Sequence, residues 1–523
     1  PESLEALFVL HGSHVRRMFE GLEAVVIDEI HAFIGSERGA QLQSLLHRVE
    51  AAIGRKVDRI GLSATLGDPS LAAEFLRPGH GAAVRLVESS AAGEFRAAIH
   101  GVEAPPPPTE APADGDREEP PSGLHFVADH LYGKMRLTNN LVFANAKRSV
   151  EVLAHLLTER TRKERVPDAF GPHHGSLAKE IRQDTERRLK EAERPFTAIC
   201  TSTLEMGIDI GATKAVGQVG LPATVASLRQ RMGRSGRRAG EVPTLWMYAI
   251  EETLTQQSTT MERLRTMTVG QIAMLQLMAE GWCEPPRDEA LHLSTLVQQC
   301  LSATAERGGI SPARLYALLG TGPFSRVDRT TFVELLRQLG EKKVLASAED
   351  GTLLPGELGE KLVNRYEFYA AFSAPEEYRV ISRGRSLGTL PVDRPIHPEG
   401  YIIFAGRRWR VLEIDEKAKV ILVERAKAGR APYFGGDAPF GARPEIRMRM
   451  RHLYETDDVP GYLTGEAARF LGEGREEYRR LELDRRSLVR DGAHTLVFPW
   501  HGDHAAATIA MLLRGEGMEA GLE

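Results

Sequence analysis

The sequence predicts an α/β protein of two parallel-sheet lobes, followed by a small helical domain and a strand-rich α+β domain. Three observations carry that prediction. Through about residue 255, short apolar runs alternate with amphipathic stretches, the pattern of parallel strands joined by helices. A proline-rich segment, 101–123 (GVEAPPPPTEAPADGDREEPPSG), divides this half in two. Beyond it the order changes to helical patterns and then to strand-like runs.

In residues 1–100, the apolar runs 24–27 and 60–62 flank a helical pattern through Leu42, Leu45, Leu46 and Val49. Segment 101–123 holds seven prolines and, Val102 apart, no large aliphatic side chain. It cannot bury a core and reads as a solvated linker or insertion. In residues 124–255 the runs are 141–143, 197–200, 215–219 and 245–248, with a helix through Val150, Leu153, Leu156 and Leu157. Residues 256–365 are expected to hold a winged helix: 288–345 read as three helices followed by a short strand pair, an order that a generic helical bundle also fits. In residues 366–523 the runs 401–404, 409–414 and 419–423 suit an antiparallel meander. Arg443, Arg447, Arg449 and Arg451 alternate in part with Ile446, Met448 and Met450, which at strand period gives either a basic face for phosphates or a solvated edge. Trp409 among Arg407, Arg408 and Arg410 reads as a core residue, with base stacking as the alternative.

Composition bounds the function. The chain has 523 residues, 42% hydrophobic and 27% charged, room for three or four globular domains. No run approaches the roughly 18 apolar residues of a membrane span, so no membrane partner is expected. The net charge of −5 excludes a protein that holds nucleic acid by bulk charge. Cys200, Cys283 and Cys300 lack CxxC spacing, so neither a zinc site nor a disulfide framework is expected, and a reducing, cytoplasmic location fits.

Ligands of parallel sheets bind where strands end. The first run ends in Asp28-Glu29-Ile30-His31, two carboxylates able to divide labour between Mg²⁺ and an attacking water, or simply an acidic loop. The second ends in Ser63-Ala64-Thr65, whose hydroxyls would approach those carboxylates from the neighbouring strand. In the second block, Thr201-Ser202-Thr203-Leu204-Glu205-Met206-Gly207-Ile208-Asp209 follows a strand, with small residues that let backbone approach a phosphate. Residues 229–238 then carry five arginines around two glycines, a grouping suited to one anion. His173 and His174 lack a third ligand and are not read as a metal site.

In this order the elements resemble motifs II, III, V and VI of superfamily 2 helicases, with DEIH as a DExH box. Pro1-Glu2-Ser3 resembles motif Ib, 141–145 (LVFAN) motif IV, and His173-His174-Gly175-Ser176 the strand-contacting element after it. Segments 285–300 (PPRDEALHLSTLVQQC), 405–415 (AGRRWRVLEID) and 498–513 (FPWHGDHAAATIAMLL) resemble the post-motor region of Lhr-like, large helicase-related, proteins. That resemblance implies two RecA-like lobes, a winged helix and a mixed strand-rich domain. It also implies ATP and Mg²⁺ as cofactors and an ATP-dependent helicase acting on single-stranded or tailed nucleic acid, DNA favoured. A monomeric motor, a DNA-repair role and 3′-to-5′ movement are implied as well.

Carried onto this sequence, the resemblance gives Asp28 the Mg²⁺ through water and Glu29 the hydrolytic water. It sets His31 and Gln230 across the cleft, Arg234 and Arg237 as arginine fingers, and Gly207 and Asp209 near the nucleotide. Ser63 and Thr65 couple hydrolysis to movement. Pro1, Ser3, His174, Gly175, Ser176 and Thr203 touch the strand's backbone. No GxxxxGK[ST] P-loop occurs in these residues. The expectation is therefore a first lobe that is incomplete and N-terminally truncated, and little ATPase activity from residues 1–523 alone. The competing reading is a nucleic-acid-binding module without autonomous hydrolysis.

Overall fold

Ala24–Ile27 and Asp58–Gly61 pair in parallel, with Ile27 opposite Gly61. The helix between them, Glu37–Ile53, starts where the Ser36 side chain accepts from the Gly39 amide. It stops at Gly54, whose φ of 72° is open to glycine without strain. The computed structural model describes residues 1–88, 94–105, 122–205, 210–238, 240–287, 289–370, 377–391, 398, 400–416, 418–426 and 441–522. The chain folds as two units, each made of two stretches: Pro1–Ser90 with Glu284–Pro375, and Ala91–Cys283 with Glu376–Glu523.

The first unit joins the DExH lobe to a three-helix domain. Helices Leu293–Glu306, Pro312–Leu319 and Arg329–Glu341 lead into an antiparallel pair, Leu345–Ser347 with Leu353–Pro355. This is the helix order and wing expected of a winged helix. Its first helix lies against Glu2–His11 and Glu37–Ile53 through a buried polar cluster. Arg48, fully buried, donates to Glu306 at 2.7 Å, Gln299 at 2.9 Å and Ser302 at 3.0 Å, and stands 3.4 Å from Glu5. At the other end, Glu37 accepts from His292 at 2.9 Å and Ser294 at 3.0 Å, and also from Thr295. Burial works to raise the Glu37 pKa, but these hydrogen bonds outweigh it and hold the carboxyl below its usual range.

In the second unit six strands form a parallel sheet in the order Arg96–Ala104, Thr244–Glu252, Ala215–Val219, Asn140–Ala144, Thr197–Cys200, Phe170–His173. Central strands are buried throughout, as expected of a sheet covered on both faces. A five-stranded sheet follows in the order Arg385–Pro391, Glu377–Ser382, Val420–Arg425, Arg407–Asp415, Tyr401–Phe404.

Several elements fall elsewhere than expected. Arg96–Ala104 runs nine residues beside Thr244–Glu252, so a strand occupies the start of the segment read as linker. The prolines from 106 to 121 lie outside the described residues. Residues 256–283 belong to the second unit rather than to the winged helix, because Thr266–Ala279 is apolar on all sides and sits in the lobe's core. Residues 443–451 are not a strand: Pro444–Glu455 is a helix. Arg447 pairs with Asp503 at 2.8 Å, Arg449 with Glu280 at 2.6 Å and Arg451 with Glu455 at 2.9 Å, so these arginines do not line one face of a strand. Trp409 is buried, its Nε1 donating to the Phe404 carbonyl at 2.7 Å, which makes it core and not a stacking platform.

Glu251, at the end of Thr244–Glu252, is buried against Thr268, whose N–H and hydroxyl both donate to it at 2.8 Å. Burial pushes its carboxyl up to about 7. A carboxyl raised above its unfolded value gives stability that is complete below about 4.5 and lost as pH rises through about 7. Glu251→Gln is therefore expected to flatten the stability profile between pH 5 and 8 by on the order of 2–3 kcal/mol. Parallel denaturation profiles for the two proteins would discard this assignment.

Candidate nucleotide and nucleic-acid site

In the first unit the DExH residues follow directly from strand Ala24–Ile27. Glu29 takes a left-handed conformation, φ 50°, and its amide bonds the Asp28 carboxylate at 2.9 Å. A non-glycine residue held there costs about 1 kcal/mol or more, which the flanking ladder sustains. That ladder consists of the Leu62 amide bonded to the Ile27 carbonyl at 2.9 Å and the Ile30 amide bonded to the Leu62 carbonyl at 3.0 Å. The turn exposes Asp28 and leaves Glu29 Oε2 buried without a hydrogen-bond partner, 3.5 Å from His31 Nδ1. An orphaned carboxylate oxygen beside an exposed carboxylate fits a water and a hydrated Mg²⁺.

Ser63 meets His31 rather than the two carboxylates: its hydroxyl lies 2.9 Å from His31 Nδ1. The same hydroxyl donates to the Thr65 carbonyl at 3.1 Å, and Thr65 is buried. The DExH box and the SAT element are thus joined through one histidine.

In the second unit, helix Val225–Met232 begins at Thr224, whose side chain accepts from Ser227 N, and delivers Gln230, Arg231 and the arginines beyond. Arg231, which the sequence did not single out, is buried, with hydrogen bonds to Glu205 at 3.0 Å and Gln218 at 2.6 Å. Arg234 is also buried, and its Nε and Nη2 both donate to the Glu205 carbonyl, at 3.0 and 2.6 Å. A finger needs a guanidinium free to meet phosphate, so the burial of Arg234 argues against that role. Arg237 is exposed, with Nε 3.3 Å from the Gly233 carbonyl. Gly207 and Asp209 lie outside the described residues.

The expected strand contacts also divide by exposure. Pro1 is half-buried and Ser3 exposed, at the start of helix Glu2–His11. His174 and Ser176 are buried, which removes them from any direct contact with a strand. Gly175 between them is exposed, and a Cβ there would lie 4.0 Å from Thr203. Thr203 is tied to the same loop, its hydroxyl 2.8 Å from His173 Nδ1. Gly175, exposed, and Thr203, half-buried, therefore lie side by side. Among the described residues no three potential ligands gather to hold a metal, and no helix is long and apolar enough to cross a membrane.

Comparison with known proteins agrees with this layout. Residues 1–72 match the DEAD/DEAH box helicase family model, and residues 124–239 match the helicase conserved C-terminal domain. The chain is 27% identical to the Lhr helicase/uracil glycosylase of Escherichia coli, over 83% of this chain and 30% of that protein. It is 32% identical to the ATP-dependent helicase Lhr-Core of Methanothermobacter thermautotrophicus, over 46% of this chain and 27% of the relative. The chain thus spans less than a third of the length of these curated relatives. Among solved structures, the Mycobacterium smegmatis helicase Lhr bound to ssDNA and AMP-PNP shares the fold. The TM-score is 0.70 at 23% identity, covering 99% of this chain and 64% of that one. The DUF1998 helicase MrfA bound to DNA shares it at a TM-score of 0.59 and 22% identity, covering 82% of this chain and 53% of that one. With both sets of motifs set on parallel sheets in this order, the chain resembles the Lhr-like superfamily 2 DExH-box helicases in sequence and in fold.

Proposed function

We propose that this chain is the DExH and strand-guiding part of an ATP-dependent helicase that couples hydrolysis to movement along a single nucleic-acid strand, DNA favoured, as a monomer. The observation that carries the reading is the 2.9 Å contact of His31 with Ser63, which joins the hydrolytic carboxylates to the next strand of their sheet. ATP with Mg²⁺ supplies the phosphoryl group when bound. Asp28 would hold the hydrated metal, Glu29 would take the proton of the attacking water, and Arg237 would meet the developing phosphate charge. The His31–Ser63 pair passes the state of that site into the sheet. Pro1, Ser3, Gly175 and Thr203 would hold the strand through its backbone, without reading bases.

Strand binding tests this without requiring hydrolysis. Fluorescence anisotropy of residues 1–523 with labelled single-stranded DNA and RNA should show sequence-independent binding that weakens as salt rises. Thr203→Asp should reduce it roughly ten-fold by setting a negative charge against the backbone. No binding to either oligonucleotide at about 50 mM salt would end the strand-guiding part of the reading.

A further inference from the structure

The loop that presents Gly175 is tied to the strand-rich domain at two points. The first runs through Glu151, a buried carboxylate on the lobe's own helix Lys147–Lys163. Its Oε1 accepts from His174 Nε2 at 2.8 Å and from the Ala405 amide at 2.7 Å. Its Oε2 accepts the Gly406 amide at 2.5 Å. Those two residues make the tight turn between Tyr401–Phe404 and Arg407–Asp415, where Phe404 pairs with Arg407. Their φ values are 55° and 66°, the left-handed pair a two-residue hairpin requires. Alanine is strained there, and its neighbouring amides point together into a concavity that suits an anion. Glu151 supplies that anion, so one side chain both relieves the turn and orients His174.

The second point lies three residues on. The Thr389 amide bonds the Ser176 carbonyl at 2.7 Å and the Ala178 amide bonds the Leu387 carbonyl at 2.8 Å, so 176–178 extends the edge of the five-stranded sheet. Gly388 sits at φ 144°, and a Cβ there would run into the Ser176 carbonyl oxygen. Leu177 is 3% exposed and packs in the core of the strand-rich domain with Val380, Phe404 and Trp409. Lys147 adds a hydrogen bond to the Ser176 hydroxyl.

We propose that the strand-rich domain is the positioning element for the second lobe's strand-contacting loop. Glu151, Leu177 and Gly388 act as its positioning residues for Gly175 and Thr203. The inference rests on the reading above, that Gly175 and Thr203 face a strand. It assigns the burial of His174 and Ser176 a purpose: they anchor the loop so that the glycine between them is the part left to the ligand. It also gives the 405–415 segment a role as the receptor for Glu151.

Two variants of the 523-residue chain test it, Glu151→Gln and Gly388→Ala, each followed by hydrogen exchange and by anisotropy with single-stranded DNA. Both are expected to speed exchange across 173–178 while protection of strand Thr197–Cys200 stays at the parent level, and to weaken strand binding roughly ten-fold. Unchanged exchange across 173–178 in Glu151→Gln would overturn the clamp. Faster exchange with parent affinity would overturn the positioning role. Should Gly388→Ala fail to fold, Glu151→Gln, which keeps the side chain's shape, decides alone. Gly175→Asp separates the two layers of the argument. If it leaves strand binding intact, the strand-facing reading of the loop has failed and the positioning role falls with it. If it weakens binding while Glu151→Gln does not, only the positioning role is lost.

Discussion

Arg237→Ala is expected to lower ATP hydrolysis by roughly 10³-fold or more, with folding and strand binding retained, in a chain that carries these residues together with a P-loop. The magnitude is that of an arginine finger, and the choice of residue comes from exposure. Arg237 is exposed and its Nε lies 3.3 Å from a backbone carbonyl of its own turn, a weak tie that is lost at little cost. Arg234 is the opposite case. Its guanidinium is buried and satisfies the Glu205 carbonyl twice, so Arg234→Ala leaves an acceptor without its donors and is expected to lower stability as well as activity. Steady-state ATPase rates beside thermal melts distinguish them. Hydrolysis within a few-fold of the parent rate in Arg237→Ala would remove it from the phosphate site.

What was legible in the sequence followed from how short each signal is. The run 24–27 ends at Asp28 and the run 197–200 ends before Thr201, as the structure has it, because both are parallel strands written as near-continuous apolar runs, the second buried throughout. Phe170–His173 escaped notice because Gly171 and Pro172 argue against a strand, yet it is an edge strand, where a missing N–H is tolerated. Thr266–Ala279 escaped because it is buried on all sides and has no stripe to detect. The helix Pro444–Glu455 was misread from the alternation of arginine and methionine. Its buried set, Ile446, Met450, Leu453 and Tyr454, has helical spacing and was the better guide.

The polar clusters were hidden for a different reason. Glu205 with Arg231 and Glu151 with Ala405 and Gly406 join residues remote in sequence, and a buried carboxylate looks like any surface carboxylate until its partners are known. The motifs therefore gave no sign of what surrounds them. His174 and Ser176 show the consequence: expected to touch the strand, both are buried, His174 against Glu151 and the Ser176 carbonyl against the Thr389 amide.

Arg48→Ala is expected to destabilise the first unit by about 3–5 kcal/mol, the largest stability effect of any single substitution considered. Arg48 is fully buried, stacked 4.4 Å over the Phe8 ring, and faces both Glu5 and Glu306, while the more exposed Arg307 reaches Glu306 only at 3.9 Å. Gln41 and Gln299 hydrogen-bond Glu5 but carry no charge to offset it. Removing the arginine therefore leaves Glu5 buried without an ion-pair partner among the described residues, and Glu306 with only the longer contact to Arg307. Arg48→Met combined with Glu5→Gln and Glu306→Gln should recover most of the loss, because the cost lies in the unpaired charge rather than in the missing contacts. Hydrogen exchange under native conditions reads the effect by region. Since Glu5 and Arg48 come from the DExH lobe and Gln299, Ser302 and Glu306 from the winged helix, Glu2–His11 and Leu293–Glu306 should lose protection together in Arg48→Ala. Loss confined to Leu293–Glu306 would mean that the winged helix folds as a separate module, and that the polar cluster merely covers its surface.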